Sequence, residues 1–309
     1  MSLIKTFLRN PEKHADVSES STNMYILGGT SATSLATALS RTLNQPLLRT
    51  TFKRFPDDEF YIRIEEPIDG QDVLIVQTAY PDAKIVELLI MQDAICEAGA
   101  KKISVILPYF GYSRQDKKFE EGEAISARAI AEHISIHADE VITVDPHKEH
   151  ILEFFTTPAR SCSAVPQIAE YLKGKGIDLV LAPDMGAKDR ASQTAALVGC
   201  ESDYLEKTRI DGTTVKIHPK SLNVHGKTVA IVDDIISTGG TMAMSIKELK
   251  HQGAKKIFVA CTHGLFAGQA KEKLNAAGCD EIIATDTVES EFSKVSVAPS
   301  LAQALVHLV

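Results

Sequence analysis

The sequence contains no apolar run of the ~18 residues that a membrane-spanning helix needs, which excludes a transmembrane helix. Its first segment, MSLIKTFLRNPEKHADVSESSTN, lacks the long apolar stretch of a secretory signal, so we expect no such signal. The five cysteines are widely spaced and form no CxxC pair, which argues against a disulfide framework or a zinc site. We therefore predict reduced thiols and a cytoplasmic location.

Basic residues are outnumbered by acidic ones. Lysine and arginine number 33 against 41 aspartates and glutamates, and the formal net charge is −8. Because a protein that binds nucleic acid through many phosphates carries a basic surface, we expect no nucleic-acid partner. The 309 residues, 44% hydrophobic and 24% charged, are ordinary for a globular protein of about two domains.

Short apolar strands alternate with amphipathic helices from Met24 onward. The run DVLIVQT at 72–78 is almost continuously apolar, as a strand covered on both faces requires. Strands that alternate with helices predict an α/β fold with mostly parallel sheets flanked by helices. Further strands of this kind are predicted at 24–29, 102–108, 141–145, 179–184, 228–234, 256–263 and 281–286.

An internal repeat links the two halves of the chain. GQDVLIV at 70–76 resembles GKTVAIV at 226–232, and EAGAKKISVI at 97–106 resembles HQGAKKIFVA at 251–260. The two pairs occur in the same order, so the chain reads as two copies of one α/β unit. After the first strand of the pair, one copy continues with Gln-Thr and the other with Asp-Asp, which suggests that only the second copy keeps an acidic site.

The segment IVDDIISTGGTM at 231–242 carries the strongest local signal. Asp233 and Asp234 come at the carboxyl end of a predicted strand, where ligands bind in open α/β sheets. The loop at 237–241 precedes a helix, and its two glycines allow backbone N–H groups to close around a phosphate. Adjacent carboxylates suit sugar hydroxyls and Mg²⁺ instead. The pattern therefore predicts a phosphorylated sugar, with its phosphate in the loop and its hydroxyls at the acids.

Two common glycine-rich phosphate loops are missing. GKT at 226–228 lacks the upstream glycine of a Walker A loop and precedes its strand. No GxGxxG follows a strand, so we expect no dinucleotide site.

Three segments of the first half carry polar side chains at strand ends. FPDDEFYIRI at 55–64 places three acids on a turn that enters a strand, and VDPH at 144–147 places a histidine just after one. YFGYSRQD at 109–116 supplies Arg114 and Gln115. Arginine pairs well with phosphate oxygens, and glutamine can pair with a purine edge. Taken alone, each segment is a weak signal, since a lone arginine is more often a solvated surface residue and a lone histidine after a strand is more often structural than catalytic.

A pair of basic residues stands out in YLEKTRI at 204–210. Lys207 and Arg209 are separated by one residue, a spacing that points both side chains to one side of an extended chain. Two cations so placed could neutralise a transferring pyrophosphoryl group. The alternative is a solvated basic hairpin, because the following IDGTTVKI reads as a turn and a strand.

Five segments follow one another along the chain: FPDDE, YFGYSRQD, VDPH, APD and VDDIISTGGT. In this order they resemble the ribose-phosphate pyrophosphokinase family, nearest to its archaeal-type class III members. The resemblance runs from Met24 to the end of the folded chain. It implies two duplicated domains of the type I phosphoribosyltransferase kind. It also implies that the pyrophosphoryl group of Mg²⁺·ATP passes to the C1 hydroxyl of ribose 5-phosphate, which gives 5-phosphoribosyl 1-pyrophosphate and AMP. The sequence departs from the family at Asp58, where glycine is common, and at Ser237, where aspartate is common.

The resemblance also implies roles for particular residues. ATP would be bound, largely across a subunit interface, by Asp57, Asp58, Glu59, Arg114 and Gln115. Ribose 5-phosphate would be bound by Arg209, Asp233, Asp234, Ser237, Thr238, Gly239, Gly240 and Thr241. Mg²⁺ would be held by His147 and Asp184. The catalytic residues would be Lys207 and Arg209, which would stabilise charge on the transferring group.

The implied organisation is an extension at 1–22 followed by two domains. An N-terminal phosphoribosyltransferase-like domain would span 24–160, and a C-terminal one at 161–298 would carry the ribose 5-phosphate loop. The last segment, 299–309, is apolar enough to pack back onto the first domain. Sharing ATP with a neighbouring subunit implies a homo-oligomer, with a dimer as the minimum.

Two other functions share parts of this pattern. A phosphoribosyltransferase that consumes the activated sugar would share VDDIISTGGT, although it needs only one copy of the unit. A non-catalytic regulatory homologue could keep the fold and lose the catalytic cations, although Lys207, Arg209, His147 and Asp184 are all present. Formation of AMP from ATP and ribose 5-phosphate separates the kinase from both.

Overall fold

The computed structural model describes residues 24–209, 215–218 and 223–306. The chain divides into two units, Met1–Ser161 with Ala304–Val309, and Cys162–Gln303. The predicted extension at 1–22 lies outside the described residues. The roles assigned to domains at 24–160 and 161–298, and the packing of 299–309, stay predictions.

The first half of the chain is built on a five-stranded sheet. The strands of this half, inside and outside that sheet, are β1 (Met24–Gly28), β2 (Thr50–Arg54), β3 (Phe60–Ile64), β4 (Asp72–Val76), β5 (Lys102–Leu107), β6 (Glu140–Val144) and β7 (Ala159–Cys162). Its helices are α1 (Thr33–Leu43), α2 (Asp82–Glu97) and α3 (Ser126–Ile134), with a 3₁₀ turn at Glu149–Phe154. The sheet order is β1-β4-β5-β6-β7, and neighbours from β1 to β6 run parallel. β2 and β3 form a separate antiparallel hairpin.

The second half repeats this plan with one more strand in the sheet. Its strands are β8 (Leu179–Ala182), β9 (Glu201–Tyr204), β10 (Glu206–Arg209), β11 (Val215–His218), β12 (Thr228–Ile236), β13 (Lys256–Gly264), β14 (Glu281–Thr285) and β15 (Ser293–Val295). Its helices are α4 (Val165–Lys173), α5 (Lys188–Val198), α6 (Gly240–His251), α7 (Ala270–Ala276) and α8 (Ala298–Ala304), with a 3₁₀ turn at Met185–Ala187. The sheet order is β15-β14-β13-β12-β8-β9, all parallel. β10 and β11 form a separate antiparallel hairpin.

The α/β class with mostly parallel sheets is confirmed, and so are the eight strands predicted above. β6 and β8 are buried at every position, as strands covered by helices on both faces must be. The short strands β2, β7, β9 and β15 were not predicted, because their sequences lack an apolar run and lie at an edge or outside the main sheets. Among the described residues, no helix has the length and apolarity needed to cross a membrane.

The repeat is reproduced in the strand register. Asp72 lies opposite Lys102 across the β4–β5 pair, and Thr228 lies opposite Lys256 across the β12–β13 pair. These are the positions that the two sequence repeats align. The outer strands follow the same order in both sheets, so β1 corresponds to β8 and β6 to β14.

The repeat also extends to the hydrogen bonds of the connecting turns. Gly70 N donates to Gly99 O at 2.9 Å, and Gly226 N donates to Gly253 O at 2.9 Å. All four glycines have φ between +71° and +86°, a conformation that residues with a Cβ rarely adopt. The same backbone conformation is therefore required at the same place in both units.

One carboxylate at the start of an inner strand is paired in the same way in each unit. Glu140 on β6 accepts from Ser104 Oγ at 2.7 Å and pairs with Lys102 Nζ at 2.7 Å and Arg160 Nη2 at 3.1 Å. Burial alone would raise the pKa of Glu140, but the bonds from Lys102 and Ser104 and the nearby cations lower it to about 2. Its counterpart on β14, Glu281, has its pKa lowered to about 2 in the same way.

We expect Glu140→Gln to destabilise the protein by about 2 kcal/mol at pH 7, because it leaves two cations facing a neutral group. A carboxyl whose pKa is depressed in the folded state stabilises that state above its unfolded pKa. This advantage is lost as the pH falls through the window from about 4.5 to 2.

Urea unfolding of wild type and variant at a series of pH values measures this difference. Glu170→Gln is the matched control, because Glu170 pairs with Lys173 on an exposed helix surface and its side chain is 74% exposed. A Glu140→Gln variant as stable as Glu170→Gln at pH 7 would contradict the prediction.

Candidate functional site

The two predicted acids lie at the carboxyl end of β12, the longest strand of the second sheet together with β13. Asp233 and Asp234 are half-buried, and Asp233 lies opposite Cys261 of β13. Each carboxylate accepts a hydrogen bond from the next backbone N–H, Asp233 Oδ1 from Asp234 N at 2.9 Å and Asp234 Oδ1 from Ile235 N at 2.8 Å. The strand therefore places two adjacent carboxylates at the edge of the sheet where ligands bind in this class of fold.

A third carboxylate approaches the pair from the neighbouring strand. Asp184 follows β8, and its Oδ1 accepts from Gly186 N at 2.9 Å at the start of the 3₁₀ turn. Burial, the charge and hydrogen bond of Asp234 and the charge of Asp184 together raise the pKa of Asp233 well above its ordinary value. Negative charge is concentrated here, and this position favours cations and hydroxyl donors over another anion.

The predicted phosphate loop connects β12 to α6. Gly239 has φ +69°, and a Cβ at this position would lie 3.2 Å from Ala270 O, so the residue needs both the conformation and the space of glycine. Gly240 begins the helix, and a Cβ there would meet nothing within 4 Å. No described side chain caps the helix and no acid lies in its first turn. The start of α6 therefore presents backbone N–H groups to an anion.

The segment after β13 holds the loop in place. Ala267 N donates to Ser237 O at 3.0 Å, while Leu265 N and Phe266 N both donate to Ile236 O. Lys273 Nζ on α7 lies 3.4 Å from Thr238 O. The backbone carbonyls of the loop are thus turned toward the protein. Sequence reasoning missed Lys273, because its contact depends on how α7 packs beside the loop.

The acidic turn of the first unit closes the β2–β3 hairpin. Asp57, Asp58 and Glu59 are all exposed, and Asp58 has φ +68°. The left-handed backbone explains in physical terms why glycine suits this position. The motif predicted from the sequence begins at Phe55 and leaves out the preceding residue, Arg54. The structure shows that Arg54 Nη1 donates to Asp58 O at 2.7 Å.

Arg114 and Gln115 lie in the long connection between β5 and α3. Arg114 is exposed, whereas Gln115 is half-buried, and its backbone O accepts from Ala127 N at 3.2 Å. Tyr112, which has φ +64°, donates its phenol to Asp82 Oδ1 at 2.9 Å at the start of α2. The backbone that carries the two predicted nucleotide residues is therefore held at Tyr112 and at Gln115.

His147 lies just after β6, in a segment that contacts this same connection. His147 is half-buried and follows the buried Asp145, which has φ +37°. His150 Nε2 lies 3.1 Å from Asp116 Oδ2, so the segment after β6 meets the one that carries Arg114. In the first unit the structure thus brings the histidine segment and the arginine segment together.

The predicted catalytic pair lies on the β10–β11 hairpin. Lys207 lies opposite Ile217 and Arg209 opposite Val215 in the antiparallel register. The turn-and-strand reading of the following residues agrees with this hairpin, whose turn at 210–214 lies outside the described residues, as do the side chains of Lys207 and Arg209. Their predicted direction stays a prediction.

The predicted metal residues belong to different units, His147 to the first and Asp184 to the second. Within the part of the chain that the structure describes, no group of three or more His, Cys, Asp or Glu side chains is arranged to hold a metal ion on its own. An ion at this acidic strand end would need further oxygen ligands, which a polyphosphate or water could supply.

Both halves of the chain match family models. Residues 24–137 match the N-terminal domain of ribose phosphate pyrophosphokinase, and residues 163–298 match the phosphoribosyl transferase domain. The two matches fall on the two units described above.

Curated relatives resemble the chain along most of its length. The ribose-phosphate pyrophosphokinase of Methanopyrus kandleri is 43% identical over 92% of this chain and 99% of the relative. That of Methanosarcina mazei is 44% identical over 93% of this chain and 98% of the relative. The crystal structure of phosphoribosylpyrophosphate synthetase from Mycobacterium smegmatis superposes with a TM-score of 0.81 at 31% identity, covering 93% of this chain and 99% of that one.

We expect Asp233→Asn to raise the melting temperature of the free protein by about 2–4 °C at pH 7.5, because it removes one of several crowded negative charges. The folded state prefers Asp233 protonated, so its ionisation costs stability at neutral pH, and the cost disappears below the unfolded pKa near ~4. The gain of the variant should therefore vanish at pH 4.

Thermal unfolding at pH 7.5 and pH 4 tests this expectation. Asparagine keeps the shape of the side chain and can still accept from Asp234 N. Asp57→Asn is the control, since Asp57 is exposed and its substitution should not change the melting temperature. A wild-type or lower melting temperature for Asp233→Asn at pH 7.5 would refute the electrostatic account.

Proposed function

The chain belongs to the ribose-phosphate pyrophosphokinase family, and we propose from this premise that its two units bind the two substrates of that reaction. The C-terminal unit binds ribose 5-phosphate at the β12–α6 segment, and the N-terminal unit binds ATP. Transfer of the pyrophosphoryl group to the sugar gives 5-phosphoribosyl 1-pyrophosphate and AMP. The product serves nucleotide biosynthesis.

The observation that carries this proposal is the division of charge along one segment of chain. Asp233 and Asp234 supply acceptors for sugar hydroxyls, and a few residues later the loop at 237–241 supplies backbone donors at the start of a helix. A sugar that bears a phosphate at one end and hydroxyls at the other matches both parts. Ser237 stands where a third carboxylate is common, so the acids of this segment number two.

ATP is assigned to the first unit, at Asp57, Asp58 and Glu59 on the hairpin turn and at Arg114 and Gln115. Arg114 would pair with polyphosphate oxygens, because its guanidinium is exposed and always charged. We also propose a homo-oligomer, a dimer at least, in which these residues serve a neighbouring subunit. The match of residues 24–137 to the kinase N-terminal domain favours this function over a phosphoribosyltransferase.

Mg²⁺ fits the acidic end of the second sheet, because Asp184, Asp233 and Asp234 bring carboxylate oxygens together there, and such oxygens are the ligands that Mg²⁺ prefers. Asp184 would supply an oxygen ligand at this strand end, and His147 is the metal residue proposed for the first unit. When bound, Mg²⁺ would screen the polyphosphate charge of ATP. The chain's own residues position the substrates and exclude water.

In the proposed reaction the C1 hydroxyl of the sugar attacks the β-phosphorus of ATP in line. The bond between that phosphorus and the oxygen bridging to the α-phosphate breaks, and AMP leaves. Lys207 and Arg209 would stabilise the charge that develops on the transferring group. The ribose 5-phosphate loop holds the attacking sugar by its opposite end, which fixes the direction of its C1 hydroxyl.

Incubation of the purified protein with ATP, Mg²⁺ and ribose 5-phosphate tests the function directly. We expect AMP and 5-phosphoribosyl 1-pyrophosphate in equal amounts, detected by chromatography, and neither product when EDTA is added or ribose 5-phosphate is left out. ADP as the product, or AMP formed without the sugar, would refute the proposed reaction.

Lys207→Ala should lower kcat by about 100-fold or more and change both KM values much less, because the lost cation acts on the transition state. Lys216→Ala is a matched control, since Lys216 lies opposite Thr208 on the partner strand of the same hairpin. Steady-state kinetics distinguish the two. Near-normal turnover of Lys207→Ala, or equal losses in both variants, would remove Lys207 from the mechanism.

A further inference from the structure

A buried carboxylate that the proposed mechanism does not use lies in the first unit. Glu87 is on α2, and only 1% of its side chain is exposed. Its oxygens accept hydrogen bonds from Thr30 Oγ1 and Arg54 Nη2, and from Lys84 Nζ at 3.0 and 3.1 Å. Gln77 Nε2 lies 3.5 Å away. We call these five residues the Glu87 cluster.

Arg54 links this cluster to the acidic turn. One guanidinium nitrogen, Nη2, binds Glu87, and the other, Nη1, donates to Asp58 O at 2.7 Å and lies 3.4 Å from Asp58 Oδ1. The rigid fork of an arginine can bind two acceptors at a fixed angle. Helix α2 and the hairpin turn are therefore connected through one side chain.

Apart from the bonds of Arg54, the side-chain contacts of the turn are made within its own hairpin, where the Phe55 ring packs edge-on against Tyr61 and lies 4.8 Å from Lys53 Nζ. Residues 55–59 are all exposed. Inside the turn, Asp58 N donates to Phe55 O and Phe55 N donates to Glu59 O, both at 2.9 Å. Asp58 is kept in a left-handed conformation that is unfavourable for a residue with a Cβ. The bond from Arg54 to the Asp58 carbonyl is the contact that anchors this conformation to the buried part of the unit.

Charge compensation alone does not require Arg54. Lys84 already contacts both oxygens of Glu87, and Thr30 adds a hydroxyl donor. A purely structural need for a cation at Glu87 would therefore be met by Lys84, which lies one helical turn away on α2. What Arg54 adds is the connection to the turn.

We propose that Glu87 is a positioning residue for the nucleotide. It fixes the guanidinium of Arg54, which in turn holds the Asp57–Glu59 turn in the shape that binds ATP. This inference rests on the proposed function, because it takes the turn to be part of the ATP site. It predicts that Glu87 affects ATP binding without touching either substrate.

The kinetic test uses Glu87→Gln, which keeps the size of the side chain and removes its charge. We expect KM for ATP to rise by about tenfold while kcat and KM for ribose 5-phosphate stay within about twofold of wild type, because only substrate binding at the turn is weakened. Lys84→Met is the matched control, because it removes the other cation of the Glu87 cluster and keeps the link from Arg54 to the turn. We expect KM for ATP to be unchanged in this variant. An unchanged KM for ATP in Glu87→Gln, or an equal rise in Lys84→Met, overturns the proposal.

A double-mutant cycle tests whether Glu87 acts through Arg54. Arg54→Lys keeps the charge but cannot span both acceptors, so it should also raise KM for ATP. The effects of Glu87→Gln and Arg54→Lys should not add in the double variant, because both break one link. Additive effects would show that Glu87 acts by another route. Arg54 is 35% exposed, so its variant reports on the link even if Glu87→Gln fails to fold.

A second readout is independent of catalysis. The chain contains no tryptophan, so Phe55→Trp places a single emitter in the turn, where the ring is 41% exposed. Adding Glu87→Gln should lower its fluorescence anisotropy, and adding Lys84→Met should not. Equal anisotropy with and without Glu87→Gln overturns the proposal. A wild-type protein that forms no AMP would refute the proposed function and still leave this measurement to decide the link between Glu87 and the turn.

Discussion

Burying a carboxylate costs free energy unless cations or hydrogen-bond donors surround it, and the carboxylates of this chain differ in how that cost is met. In the first unit Glu87 is nearly inaccessible and is surrounded by donors on several sides. Glu140 and Glu281, at equivalent places in the two sheets, are paired with cations strongly enough to lower their pKa values to about 2. Asp233 instead faces further carboxylates, and its pKa rises. Carboxylates are thus gathered where substrate and metal are proposed to bind.

Duplication explains why the two units differ in their charged residues at the strand ends and not along the inner strands. The inner strands of both sheets share register, turn glycines and the hydrogen bonds that join them, because these features fix how a strand enters a parallel sheet. The strand ends are free to differ. Where β12 ends in two acids, β4 is followed by Gln77, which accepts from Ser31 N at 3.2 Å and donates to Lys84 O at 3.3 Å. The first unit thus fills the corresponding position with its own polar contacts.

The sequence alone predicts those parts of the structure that depend on neighbouring residues. Apolar runs such as 72–78 predict their strands, and the acid pair followed by a glycine loop predicts its place at a strand end, because both signals are short in range. Contacts between distant segments are not predictable in this way. Glu87 is a visible exception within the apolar helix IVELLIM, yet nothing local indicates that its partner is Arg54. Likewise, Lys273 reaches Thr238 only because α7 packs beside the phosphate loop.

The two departures from the family pattern, at Ser237 and at Asp58, have different physical consequences. At Ser237 the loop keeps its backbone function, since the bond from Ala267 N uses the carbonyl and not the side chain. At Asp58 the cost is conformational: a left-handed residue with a Cβ is strained by about 1 kcal/mol relative to glycine. The carbonyl of Asp58 accepts from Arg54, and its carboxylate lies 3.4 Å from the same guanidinium. Glycine would keep the first contact and lose the second. The aspartate therefore has a strained backbone in return for one exposed ion pair with Arg54.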